Sequence, residues 1–250
     1  MSGNHYTKEY EVRYYEIDSK KRLLKSSLLN YFTDIATLHS IERGVGIDYL
    51  QKEKLGWVIN KYDIELFQEG YYMDKLKVTT EAYGFRKFFA YRTFEVQGEK
   101  GREIARGKAL FMLIDMEKRR MTRIGEELMN AYEVPAEDLN RQIFFEDIKA
   151  IGEIHHEMPF YIRYTDIDTN GHVNNAKYLD WLMEAIPLEI INEKSLRRIK
   201  MHYIKECLYG DTIVSRAEII EDEAAKEIKV IHSIINEEGK EITRGETYWK

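Results

Sequence analysis

The chain reads as an α+β protein made of two similar modules, each a strand, a long helix and a run of antiparallel strands. Three observations predict this. Blocks of sequence recur in the same order in the two halves, apolar residues alternate with charged ones along several segments, and 250 residues of which 44% are hydrophobic suffice for two cores.

The repeat has two anchors. Val12-Arg13-Tyr14-Tyr15-Glu16-Ile17-Asp18 matches Ile162-Arg163-Tyr164-Thr165-Asp166-Ile167-Asp168 at an offset of 150 (162 − 12), and Gly101-Arg102-Glu103-Ile104-Ala105-Arg106-Gly107 matches Gly239-Lys240-Glu241-Ile242-Thr243-Arg244-Gly245 at 138 (239 − 101). The halves are collinear, and the difference of 12 residues is expected as an insertion in the first half around Gly46 to Leu55. Two copies of this length are a duplicated domain, since solenoid repeats run to roughly 20–50 residues and need several copies.

Each module is read in the same order. In the first, Tyr10, Val12 and Tyr14 alternate with charges as a half-buried strand does. Ser26 or Ser27 can cap a helix whose Leu28, Phe32, Ile35 and His39 share one face, and strands follow over 57–67, 76–83, 88–96 and 103–114, with Gly98-Glu99-Lys100-Gly101 as a hairpin turn. The second module repeats the pattern with a strand over 156–164, a helix over 175–191 and strands over 196–206, 212–220, 227–235 and 241–249. Residues 126–152, with Val134-Pro135 and short mixed patterns, read as a linker with one or two helical turns. The predicted organisation is therefore module 1–125, linker 126–152 and module 153–250.

Composition excludes several functions. A formal charge of −6 disfavours generic binding to nucleic acid or anionic lipid. The single cysteine, Cys207, excludes an internal disulfide framework and a cysteine-based zinc site. There is no apolar leader and no stretch of roughly 20 apolar residues, so no membrane span and a cytoplasmic location are expected. A P-loop, a dinucleotide-binding glycine motif, an H-E-x-x-H helix and a G-x-S-x-G elbow are all absent. His155-His156-Glu157 is not read as a metal site, because neighbouring strand residues face opposite sides. No metal and no cofactor are expected.

The chemistry concentrates at 163–175, where acids, amides and one histidine lie between an apolar strand and an apolar helix. Gly171 permits a tight path, so Asp168, Asn170 and His172 can point into one cleft. The helix start at Asn174 or Asn175 offers N–H groups and partial positive charge to a polarised carbonyl, although both asparagines equally suit ordinary capping. The first half has Asp18 opposite Asp168, but Lys20 opposite Asn170 and Arg22 opposite His172. Residues that merely shaped a turn would be of similar type in both copies, so the second copy reads as specialised for reaction. His172 suits proton transfer, Asp168 can orient it or a water, Asn170 can position water or carbonyl, and Glu206 at a strand end can serve as base. Leu28, Phe32 and Trp57 of the first half can line an apolar slot, or equally build a solid core.

The strand–helix–strands order, the duplication, the run Asp-x-Asp-x-Asn-x-His-x-Asn-Asn-x-x-Tyr at 166–178 and the downstream Glu206-Cys207 together resemble the acyl-ACP thioesterases of plants and bacteria over nearly the whole chain. The resemblance implies a double hotdog, two antiparallel sheets each wrapped around a central helix and joined side by side. It implies hydrolysis of fatty acyl-[acyl-carrier-protein], ending chain elongation, with the family's Asp, Asn, His and Glu-Cys falling on Asp168, Asn170, His172, Glu206 and Cys207. Two assignments stay open: Cys207 as a nucleophile paired with His172 and Asn170, or water activated by Glu206 or by the Asp168/His172 pair. The second is favoured, because a lone cysteine on an apolar strand is more often a small buried hydrophobe. The expected partner is the acidic acyl carrier protein bearing a phosphopantetheine-linked acyl chain. Lys20-Lys21-Arg22 with Lys25, Lys118-Arg119-Arg120 with Arg123, and Arg197-Arg198 with Lys200 are the basic stretches that could receive it. A hotdog acyl-CoA thioesterase and a non-catalytic acyl-thioester binder are the alternatives, and a homodimer is allowed.

Overall fold

Along Lys75–Arg86 buried and exposed side chains alternate almost residue by residue, as a strand with one face on a core must. The same alternation builds most of the computed structural model of the chain, which describes residues 3–168 and 171–250. These residues divide into two units, one of 1–60 with 67–145 and one of 61–66 with 146–250.

The first unit contains β1 (His5–Glu11), α1 (Lys25–Glu42), α2 (Ile47–Lys52), β2 (Leu55–Leu66), β3 (Lys75–Arg86), β4 (Phe89–Gln97), β5 (Glu103–Asp115), β6 (Arg120–Met121) and α3 (Glu126–Ala131). Its strands pair antiparallel in the order β1–β3–β4–β5, with β2 beside β5. The second contains β7 (His156–Tyr161), α4 (Asn175–Glu184), α5 (Leu188–Glu193), β8 (Leu196–Tyr203), β9 (Thr212–Asp222), β10 (Glu227–Asn236) and β11 (Glu241–Trp249), in the order β7–β9–β10–β11–β8. The last residues of β2, Lys61 to Glu65, pair with β8 and belong to this unit. The two orders are equivalent strand for strand, and the fold is the double hotdog.

In each unit the sheet packs on its helix. Leu28, Leu29, Phe32 and Ile35 are buried along α1, and Phe32 stacks on Phe94 with ring centroids 4.3 Å apart. The second glycine of each repeated block explains how closely the layers approach. A Cβ at Gly107 would lie 2.7 Å from the Phe32 ring, and one at Gly245 would lie 2.8 Å from Leu182 Cδ1. Phe32 and Leu182 are themselves 150 residues apart, so helix and sheet repeat the same contact.

Three expectations are corrected. The extra dozen residues are not an insertion at 46–55: α2 has a counterpart in α5, and the surplus is divided between α1, eighteen residues against ten in α4, and β2, twelve against eight in β8. The predicted helix over 175–191 is two helices, since α4 ends at Glu184 and Pro187 caps α5. Proline disfavours a helical residue before it and cannot continue the ladder. Ser26 and Ser27 do not cap α1, which starts one residue earlier. Leu24 occupies the cap position, held by its N–H on Glu16 O at 2.9 Å.

Candidate active site

The strand–turn–helix segment of the second unit is fixed mainly by backbone. A 3-10 turn at Tyr164–Asp166 buries the Asp166 carboxylate, which accepts from Arg163 N, Nε and Nη2 at 2.9, 3.1 and 2.9 Å. Burial alone would raise this carboxyl, but the bonds from Arg163 outweigh it and hold it below the usual range. Asp166 is thereby committed to the turn. The next loop closes on itself: Asp168 N–H donates to His172 O at 2.8 Å, and Gly171, at φ +79°, donates to Asp168 O at 3.1 Å. Residue 171 needs that left-handed backbone, which glycine takes without strain. Asn174 then caps α4, its side chain accepting from Ala176 N at 2.9 Å.

Three bonds tie the end of β8 and the residues after it to this loop and helix. Tyr203 Oη donates to Asn175 O at 3.0 Å, Val173 N–H donates to Cys207 O at 3.2 Å, and Cys207 N–H donates to Tyr178 Oη at 3.2 Å. His172 and Glu206 each lie next to a clamped residue, and His172 Nε2 is 3.2 Å from Glu206 Oε2. The pair is open to solvent, with 26% of the imidazole and 43% of the carboxylate side chain exposed. A carboxylate bonded to an imidazole at that distance can pass a proton to and from a reactant.

Cys207 is placed differently. It is only 2% exposed, and burial pushes its thiol up to about 11 against the opposing effect of the Tyr178 hydroxyl. The thiolate is the nucleophilic form, and at neutral pH it amounts to on the order of one molecule in 10⁴ here.

The first unit supplies an internal comparison. Its loop has the same backbone bonds, including Leu23 N–H on Gly70 O at 2.8 Å, the counterpart of Val173 on Cys207. The side chains differ in kind. Arg22, in the place of His172, bonds Asp18 through Nε at 2.7 Å and N at 2.8 Å, and Asp18 is held low by these bonds despite the opposing effect of burial. Leu66 and Tyr203, the last residues of β2 and β8, stand 137 apart, which sets Glu69 opposite Glu206, and Glu69 pairs with Lys25. Asp18 and Glu69 are thus each paired with a basic side chain, where Glu206 meets an imidazole.

The structure thus brings His172, Glu206 and Asp168 into one loop cluster and sets Cys207 behind it. Asn170 lies outside the described residues. Asn174 serves as a cap, and Asn175 gives its carbonyl to Tyr203. Leu28 and Phe32 are in the packed core of the first unit, while Trp57 is half-buried beside the cluster of Val45, Phe85, Leu113 and Tyr132. Tyr178 and Tyr203 were not singled out from the sequence. Tyr178 ends the motif run at 166–178, and its counterpart Leu28 carries no hydroxyl.

Comparison with known proteins agrees with this plan. Residues 3–132 match the acyl-ACP thioesterase N-terminal domain and residues 150–250 its C-terminal domain. A chloroplastic palmitoyl-acyl carrier protein thioesterase of Gossypium hirsutum is 24% identical over 270 residues, which cover 100% of this chain and 65% of that protein. An oleoyl-acyl carrier protein thioesterase of Coriandrum sativum is 24% identical over 285 residues, covering 99% and 77%. Among solved structures, a putative oleoyl thioesterase from Lactobacillus plantarum superposes with a TM-score of 0.93 at 23% identity, covering 100% of this chain and 98% of that one. A 12:0-ACP thioesterase from Umbellularia californica superposes with a TM-score of 0.83 at 20% identity, covering 100% and 95%. At these identities the superpositions establish the fold.

Proposed function

Because the chain belongs to the acyl-ACP thioesterase family, we propose that it hydrolyses the thioester of fatty acyl-[acyl-carrier-protein] with Glu206 and His172 as the proton-handling pair. Water attacks the carbonyl carbon and gives up a proton to the pair. The C–S bond then breaks, and the proton returns to the departing thiolate, leaving a free fatty acid and the carrier thiol. The developing oxyanion is met by the partial positive charge at the first turn of α4. Asp168 steadies the His172 backbone, its Oδ1 lying 3.4 Å from His172 N, and Asn170 is assigned the water by its place in the motif.

The single observation carrying this reading is the 3.2 Å imidazole–carboxylate contact, where the other module has guanidinium and ammonium partners. Glu206→Gln and His172→Ala should each lower kcat on acyl-ACP by about 10²–10⁴-fold. Cys207→Ala should keep activity within about twofold of the parent, since its thiol is protonated and buried. Loss of turnover in Cys207→Ala, together with an acyl-enzyme trapped on the parent, would replace water by a cysteine nucleophile.

A further inference from the structure

Both units display large apolar side chains around the turn that leads into the helix. In the first unit Tyr14 and Tyr15 are 77% and 80% exposed, and Tyr71, Tyr72 and Met73 are exposed as well. These come from two segments held together: Met73 N–H donates to Val12 O at 3.0 Å, Tyr72 N–H donates to Lys21 O at 3.0 Å, and the Tyr14 and Tyr72 rings meet edge-on at 6.0 Å. The patch is therefore contiguous. The matching segments of the second unit expose Tyr164, Leu208 and Tyr209 beside His172 and Glu206.

Charge separates the two patches. Residues 13–22 with 71–75 carry five basic and three acidic side chains, +2. The equivalent 163–172 with 208–212 carry one basic and three acidic, −2, on a chain of −6. Arg13, Lys20, Lys21 and Lys75 stand exposed around the first patch. Tyrosine and methionine surrounded by cations form a surface suited to an acidic protein with an apolar stripe, because aromatic anchors supply contact area and the charged rim speeds and orients encounter. Another basic stretch is already engaged within its own unit: Arg198 binds Asp63 and Glu146, and Lys200 is buried against Glu146 and Glu246.

We propose that the tyrosine patch of the first unit, Tyr14, Tyr15, Tyr72 and Met73 with Lys21 and Lys75, is the docking surface for the acidic carrier protein that delivers the thioester. This rests on the thioester-hydrolase reading above. The test compares one acyl chain presented on the carrier and on CoA, using the full chain with Tyr14→Ala/Tyr72→Ala, with Lys21→Glu/Lys75→Glu, and with Lys118, Arg119 and Arg120 all changed to Glu. The first two variants should raise KM for the carrier-bound substrate by about tenfold or more and leave kcat and CoA-thioester turnover unchanged. They should also weaken calorimetric binding of holo-carrier by a similar factor, a readout that holds if neither thioester is turned over. Equal effects on both substrates, unchanged carrier binding, or loss of binding only in the 118–120 variant would overturn the proposal. So would a dimeric parent that Tyr14→Ala/Tyr72→Ala turns monomeric with carrier binding intact, which would assign the patch to a second copy of this chain.

Discussion

Lowering the pH from 7.5 to 4.5 should destabilise the fold by about 5 kcal/mol through two buried histidines that lie far from any catalytic role. His232, on the inner face of β10, has no exposed surface. Its Nε2 meets Thr247 Oγ1 at 2.9 Å, and its Nδ1 has no hydrogen-bond partner among the described residues. Burial depresses it to about 3. His39, buried on α1, donates from Nε2 to Gly3 O at 3.0 Å and accepts at Nδ1 from Arg92 at 3.0 Å, and burial followed by the adjacent guanidinium lowers it to about 4. In the unfolded chain each histidine titrates near 6.5. The unfolded state therefore takes up protons as pH falls below 6.5 while the folded state resists until about 4 and about 3, so stability is full above 6.5 and declines through that window. Linkage gives roughly 2–3 kcal/mol for each residue at pH 4.5. In the first unit the partner of Gly107 in the ladder is Phe94, where the second has His232 opposite Gly245, so His232→Phe is a substitution that the fold already accommodates once. Urea unfolding, followed by tryptophan fluorescence, should find His232→Phe gaining roughly 2–3 kcal/mol relative to the parent between pH 7.5 and pH 4.5. A parent-to-variant difference that stays constant within about 0.5 kcal/mol over that range would refute the assignment.

Two further outcomes are expected. Tyr178→Phe keeps the ring but leaves the buried Cys207 N–H without its acceptor, which should destabilise by about 1–3 kcal/mol and, by loosening the segment that carries Glu206, lower kcat with KM little changed. An unaltered kcat in a correctly folded variant would show that the clamp does not position the carboxylate. Gly245→Ala should destabilise by about 1–3 kcal/mol, because its Cβ would sit 2.8 Å from Leu182 Cδ1, and Leu182→Ala should relieve part of that in a double-mutant cycle.

Much of the fold is legible in the residues. Period-two alternation placed most strands within a few residues, but carried the first strand of each module on to Tyr14 and Tyr164, which lie on 3-10 turns; the two repeat anchors showed the halves to be collinear. The breaks were harder to see. The apolar spacing of Leu182, Ile186 and Ile190 continues across Pro187 as if one helix ran through, and only the ring chemistry of proline ends it. The surplus in the first half divides between α1 and β2, so no single point along the sequence shows where it lies. For the same reason Glu69 could not be aligned with Glu206, and the contrast between a lysine partner and an imidazole partner at those carboxylates stayed hidden. His172 was visible as a candidate because polar residues at a strand–helix junction are out of keeping with a core, and Glu206 because an acid closes an apolar strand. Tyr178 and His232 were not, since an aromatic residue on an apolar helix face and a lone histidine in an alternating strand both read as packing.

The allocation of 61–66 to the second unit bears on how the chain can be divided. Lys61 to Glu65 lie in register along β8, and the buried Asp63 receives Arg198 through two bonds of 2.8 Å. A fragment beginning at residue 146 would keep every candidate reactive group and lose this flanking strand. It would leave the amides and carbonyls of β8 bare along one side and take the buried Asp63 from Arg198, which would keep only the exposed Glu146, and such a border is a template for pairing with another extended chain. The C-terminal half repeats the first in sequence, yet the compact unit it belongs to takes in residues 61–66 as well.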